Sequence, residues 1–230
     1  MSFVLTALPS AAYLAWLALA QVNFLYPLWH ELIGIDRTIE TYAPQNRYRH
    51  GFEQTTKAER SRLFAGIVDA IQDQGRGLRA LVYRDAAGRR VNKLLRAPEI
   101  VHLQDVARLV DLLRTGGIAA LIVTTLLLIL IRWRRLSMPA AKPLLIWTLT
   151  PLAALTVTVL LLGPNKVFYR LHPLVFPPAH QWFFYYQDSL MSTMMQAPDL
   201  FGYIAVVWAA LSMVVLVGLL DLARRAGGSD

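Results

Sequence analysis

Cysteine is absent from all 230 residues. That removes disulfide scaffolds, thiolate metal sites and thiol nucleophiles from consideration at once. Charge is scarce too, at 17% of the chain, and it is missing from the long apolar runs. Phe3 to Trp29, Gly116 to Trp133, Leu144 to Gly163 and Tyr203 to Ala223 contain only Arg132 and Asp221 as charged residues, both near run ends. There a side chain can reach the interface. An ion-coupled transporter, which places charges inside its spans, is therefore disfavoured. The chain also lacks a Gly-x-Ser-x-Gly elbow, a His-x-x-x-His pair and any recognisable nucleic-acid module.

What is present is apolar. The sequence is 56% hydrophobic with a mean hydropathy of +0.42, and each of the four runs approaches or exceeds the ~20 helical residues that cross ~30 Å of hydrocarbon. These features predict an α-helical membrane protein: four transmembrane helices with a small α+β extracytoplasmic cap between the first and second spans. The net charge of +8 suits an anionic lipid surface better than nucleic acid, because the basic residues are spread along a polar segment and beside apolar ends. Short connections set orientation. Arg132, Arg134, Arg135 and Lys142 lie between the second and third runs, and Arg224 and Arg225 follow the fourth. Both ends of the chain are then cytoplasmic, with the intervening loops on the outer face of a cell membrane. Ala18-Leu19-Ala20 has the look of a signal-peptidase site. However, no Lys or Arg precedes the run, which continues to Phe24, Tyr26 and Trp29, so an uncleaved first span is expected.

The organisation expected is a first span over 1–29, a folded cap over 30–115, and a three-helix region over 116–230 with an aromatic outer loop at 164–202. Within the cap, Thr56-Lys57-Ala58-Glu59 has capping-box spacing, and Leu63, Phe64, Ile67, Val68 and Ile71 recur at helical intervals up to Gly75. Leu78 to Arg84 and Arg90 to Leu95 flank Asp85-Ala86-Ala87-Gly88 and read as a hairpin. Pro98 then suits the first turn of a helix running continuously into the second span.

Two histidines, His102 and His172, fall on the same outer rim in this arrangement. His102 shares an apolar arc with Glu99, Leu103, Val106, Leu109, Val110 and Leu113, opposite Gln104, Arg108 and Asp111. An apolar-face histidine is often only a satisfied core residue. Glu99, one turn away, could instead orient its ring. Asp105 lies off that arc, placed to cap or to pair with a neighbouring base. His172 lies in a stretch dense in aromatics, Phe168, Tyr169, Phe176 and Trp182 through Tyr186, with Arg170 beside it. Such rings can be simple headgroup anchors. The polar groups among them, together with Pro173, Pro177 and Pro178, point to a tightly turned segment that forms a pocket. A zinc site built on both histidines and Glu99 would be thinly coordinated, so no metal or cofactor is expected.

The Glu99-x-x-His102-x-x-Asp105-Val106 run leading into the second span and the aromatic His172 loop ending at Trp182 resemble the lipoprotein intramolecular transacylases. So does Asp188-Ser189-Leu190-Met191, leading through Met195 to Pro198. The resemblance covers nearly the whole chain. It departs at Leu171, Val175 and Pro177-Pro178, and Trp182 falls about one residue late. The resemblance implies an enzyme of a bacterial cytoplasmic membrane, with a lipoprotein and membrane lipid as partners. It would move an acyl chain from the sn-2 ester of the diacylglyceryl group to the α-amine of the same N-terminal cysteine, leaving a lyso-form lipoprotein.

That chemistry requires a base for an α-amine that is largely protonated at neutral pH and an acid for the departing glyceryl oxygen. His102 and His172 are the expected pair, supported by Glu99, Asp105 and Arg170, with Phe168, Tyr169, Phe176 and Trp182 as substrate walls. Another outer-face acyltransferase or hydrolase, or a non-enzymatic membrane assembly partner, remains an alternative reading of the same residues.

Overall fold

The computed structural model describes residues 2–137 and 141–227. Lys142, part of the basic connection read from the sequence, lies outside the described side chains. The chain forms two compact units. One comprises Met1–Leu19, Leu112–Val167 and Ala205–Asp230, and the other Ala20–Asp111 with Phe168–Ile204.

The first unit holds helix α1 (Ser2–Gln21), most of α5 (Ala97–Arg134), α6 (Ala141–Leu162) and most of α9 (Asp199–Gly227). Phe3, Ala7 and Ala11 of α1 pack with Ile131 of α5 and Leu216, Leu220 and Ala223 of α9. Alanines four apart give α1 a smooth face on which helices approach closely. Ser10 and Thr124 share a buried hydroxyl hydrogen bond at 3.0 Å, and Trp208 Nε1 donates to the Ala12 carbonyl at 2.8 Å. A Cβ on Gly117 would meet the Tyr13 ring at 2.5 Å, so only glycine fits there.

Among the described residues three helices, α1, α5 and α9, are long and apolar enough to cross a membrane; a fourth crossing is reached if α6 is counted with the helix after its break at Gly163. At 38 residues, α5 is about 57 Å long, nearly twice the ~30 Å hydrocarbon thickness. Its uncharged part starts at Gly116. The turns before that, His102 among them, precede the apolar run read from the sequence as the second span.

The expected first span of Phe3 to Trp29 is broken. α1 stops at Gln21, Asn23, Phe24 and Leu25 take positive φ, and α2 (Tyr26–Leu32) starts afresh. Pro27 explains the break, since it has no N–H to give the carbonyl four residues back. The turn is held by side chains instead: Asn23 Nδ2 donates to Ser61 O at 3.1 Å and Trp29 Nε1 to Phe24 O at 2.9 Å.

The second unit adds α3 (Ile35–Tyr42), α4 (Lys57–Gln72), strands β1 (Val82–Arg84) and β2 (Arg90–Lys93), and α8 (Leu190–Met195). Its core is Tyr26 stacked on Phe64 at 4.3 Å, with Ile35, Ile39, Leu63, Ile67, Leu190 and Met194 buried. The Tyr26 hydroxyl donates to Met194 O at 2.9 Å. Thr56 caps α4 by accepting from Glu59 N at 3.1 Å. The reciprocal half of the capping box is replaced, because Glu59 instead accepts from the Arg62 guanidinium and, at 2.9 Å, from Arg84 N of the hairpin. The hairpin is antiparallel, pairing Val82 with Lys93 and Tyr83 with Asn92, with an irregularity after Tyr83. Its strands are shorter than the sequence suggests, since Leu78–Ala80 forms a 3-10 turn that sinks Leu78 into the core.

Proline content did not prevent a helix near His172. α7 (Pro164–Val175) is helical, with Pro173 in its last turn, where its missing N–H forfeits a single bond. Pro177 and Pro178 follow in a turn closed by His180 N to Pro177 O at 3.0 Å.

Candidate active site

The first turn of α5 positions His102. Ile100 N donates to Arg96 O at 3.1 Å, and Glu99 reaches back so that its Oε2 accepts from Arg96 N at 2.5 Å. This is the reach-back of a capping box. Ile100, Leu103, Ala107 and Val110 bury the adjoining face. His102 is half-buried beside them, and its Nδ1 is enclosed without a hydrogen-bond partner.

His172 comes from the last turn of α7. Its Nδ1 lies 3.0 Å from Phe168 O, one turn back. A carbonyl only accepts, so Nδ1 is the protonated nitrogen of the neutral ring and Nε2 keeps its lone pair. The centroids of the His102 and His172 rings are 6.3 Å apart. Directly hydrogen-bonded imidazoles would sit about 5 Å apart by centroid, so the two rings are neighbours within aromatic-contact range without bonding each other. Phe176 stands 5.1 Å from each ring. Phe168 lies at 3.9 Å and Trp182 at 4.7 Å from His172. Tyr169 is in an outer tier, 6.0 Å from Trp182 and 39% exposed.

Glu99 departs from the sequence expectation, whereas Asp105 pairs with a neighbouring base as expected. Glu99 does not orient His102. Its Oε1 accepts from Ser189 Oγ while Oε2 faces Arg96, and it is fully buried by that arrangement. Burial raises its carboxyl above the ordinary range, against the opposing hydrogen bonds from Ser189 and Arg96. Asp105, off the apolar arc, is nevertheless buried. The loop after α7 covers that side as well, and Asp105 accepts from His180 Nδ1 at 2.7 Å and from Arg108. Those two partners hold its carboxyl below the usual range even though burial pushes it up. Leu113, expected on the inner arc, is 63% exposed. Arg170 is exposed and has no hydrogen bond or ion pair among the described residues.

Burial pushes His102 down from 6.5 to about 4; the neighbouring His172 adds to this and Asp105 opposes it. At neutral pH His102 is therefore an uncharged imidazole. Three participants escape sequence reasoning: Ser189, His180 and Phe184, the last buried 6.1 Å from His102. Their partners are 75 to 90 residues distant in the chain for the two hydrogen bonds, and no local spacing reports contacts of that range.

Among the described residues no group of three or more His, Cys, Asp or Glu is arranged to hold a metal ion. The pair of rings is instead suited to accepting and returning protons inside an aromatic wall. The family model described as lipoprotein intramolecular transacylase Lit matches residues 82–197, about half of the chain, and this stretch includes every side chain of the site. Comparison with curated proteins and with solved structures gave no match. By that family match, reaching from the hairpin to the end of α8, the chain belongs to the lipoprotein intramolecular transacylases.

Proposed function

We propose that this protein transfers an acyl chain within one diacylglyceryl lipoprotein, from the sn-2 glyceryl ester to the α-amine of the N-terminal cysteine, at the outer face of a bacterial cytoplasmic membrane. Both termini are cytoplasmic in this reading, and 30–115 forms the extracytoplasmic cap. The observation that carries it is the proximity of two imidazoles, 6.3 Å between centroids, inside an aromatic wall in a family of transacylases. Rings this close can both come within hydrogen-bond reach of one reacting centre.

The α-ammonium loses one proton to become a nucleophile and a second as the tetrahedral nitrogen becomes an amide. His172, whose Nε2 is left free by the bond from Nδ1 to Phe168 O, takes the proton of the attacking nitrogen. His102, neutral at rest, takes the second nitrogen proton and delivers it to the departing glyceryl oxygen. An imidazole made weakly basic by burial parts readily with a proton once it holds one. Because donor and acceptor belong to one molecule, confinement supplies much of the rate, and effective molarity is worth several kcal/mol in such reactions. Phe168, Phe176, Trp182 and Phe184 exclude the water that would otherwise take the acyl group.

The test uses the purified protein in lipid nanodiscs with a synthetic diacylglyceryl-cysteinyl peptide, and tandem mass spectrometry to locate the acyl chains. Intramolecular transfer leaves the mass unchanged while moving one chain from glycerol to nitrogen. Release of free fatty acid, or a product carrying a third chain, would replace this reading with hydrolysis or intermolecular transfer.

A further inference from the structure

The reaction proposed above does not conserve protons within the site. The ammonium and the sn-2 ester give an amide, a free secondary hydroxyl and one H⁺. The N–C bond forms, the ester C–O bond breaks, one nitrogen-bound proton ends on the glyceryl oxygen, and the other must reach bulk water. The walls that keep water from the ester also obstruct that exit.

One polar pair, Asp105 and His180, lies beside His102. Asp105 follows His102 by three residues on α5, which places the two side chains on neighbouring turns of one helix. Its side chain is 3% exposed, and Oδ2 accepts from His180 Nδ1 at 2.7 Å. Oδ1 is occupied by Arg108. His180 is fixed from behind by its own N–H to Pro177 O, and its side chain is 35% exposed. With Nδ1 given to the carboxylate, Nε2 is the nitrogen left for water. A carboxylate bonded to one imidazole nitrogen fixes the ring's orientation and leaves the other nitrogen to exchange protons with water.

We infer that His180, oriented by Asp105, is the proton exit of the site: it accepts the surplus proton and passes it to solvent. This role rests on the transacylase reading. The charged group bonded to His180 is Asp105, which Arg108 of α5 also holds, and the rings of Phe176 and Phe184 lie beside His102 on either side of His180 in sequence.

The experiment measures lipopeptide conversion by the purified full-length protein in nanodiscs, with and without added imidazole. His180→Asn keeps a donor for Asp105 but carries no titratable nitrogen. We expect its rate to fall ~10²-fold, the low side of proton-transfer effects, and to be restored by imidazole, which leaves the wild-type rate unchanged. Asp105→Asn, which keeps an acceptor but removes the charge, is expected to slow and to respond to imidazole likewise. A melting scan of each variant reports on folding. A wild-type rate in His180→Asn overturns the inference. A slow, folded His180→Asn that imidazole does not restore also overturns it, and assigns the residue to holding the loop. Absence of conversion by the wild-type protein overturns the transacylase reading itself, and this inference with it.

Discussion

At the scale of single residues, His102 and Glu99 show how neighbours in space redefine neighbours in sequence. Spacing on α5 suggested that Glu99 orients His102, yet the carboxylate is spent on Ser189 and the Arg96 N–H. The imidazole is left half-buried with an unpartnered Nδ1. The consequence is electrostatic. Burial lowers the folded-state value from 6.5 to about 4, so the neutral ring persists through the range where an ordinary histidine is protonated. His102 therefore contributes stability above the unfolded-state value, and that contribution is lost as pH falls toward about 4. We expect ¹H–¹⁵N correlation spectra of the imidazole to show His102 titrating well below pH 6; a midpoint near 6.5 would refute its burial.

At the scale of elements, Ser189 joins two roles in one oxygen. It donates to Glu99 and accepts from Ser192 N at 3.0 Å, capping α8. Ser189→Ala removes both. Losing the cap costs about 1 kcal/mol, and leaving a buried carboxylate oxygen unsatisfied costs ~1–3 kcal/mol. At about 2–4 °C per kcal/mol for a chain of this size, the expected outcome is a fall in Tm of several degrees, read by differential scanning fluorimetry; an unchanged Tm would contradict the clamp. Elements with strong local signals were legible. The Thr56 cap, the periodic apolar residues of α4, the hairpin around Asp85 to Gly88 and the unbroken α5 all follow from local chemistry. What escaped depends on single prolines and on distant contacts. Pro27 divides the first apolar run, whereas Pro173 falls late enough in α7 for the helix to persist. Asp105 is buried because a loop 75 residues away supplies His180.

At the scale of the whole molecule, the sequence supplied the apolar helices and the small strand pair, and the family match covers the segment that carries both histidines. The grouping into two units was not legible, because α5, α7 and α9 each contribute residues to both, and no composition shift marks that division. The account rests on acyl transfer by His102 and His172 rather than on a membrane anchor that merely docks another protein. The direct measurement is complementation: wild type, His102→Ala, His172→Ala and a variant disrupting the 82–93 hairpin, each expressed with one reporter lipoprotein whose N-terminal peptide is analysed by mass spectrometry. The account predicts lyso-form peptide from the wild type and its loss, by ~10²-fold or more, in either histidine variant while that variant accumulates normally. Full lyso-form conversion by both histidine variants, with loss only on hairpin disruption, would contradict it.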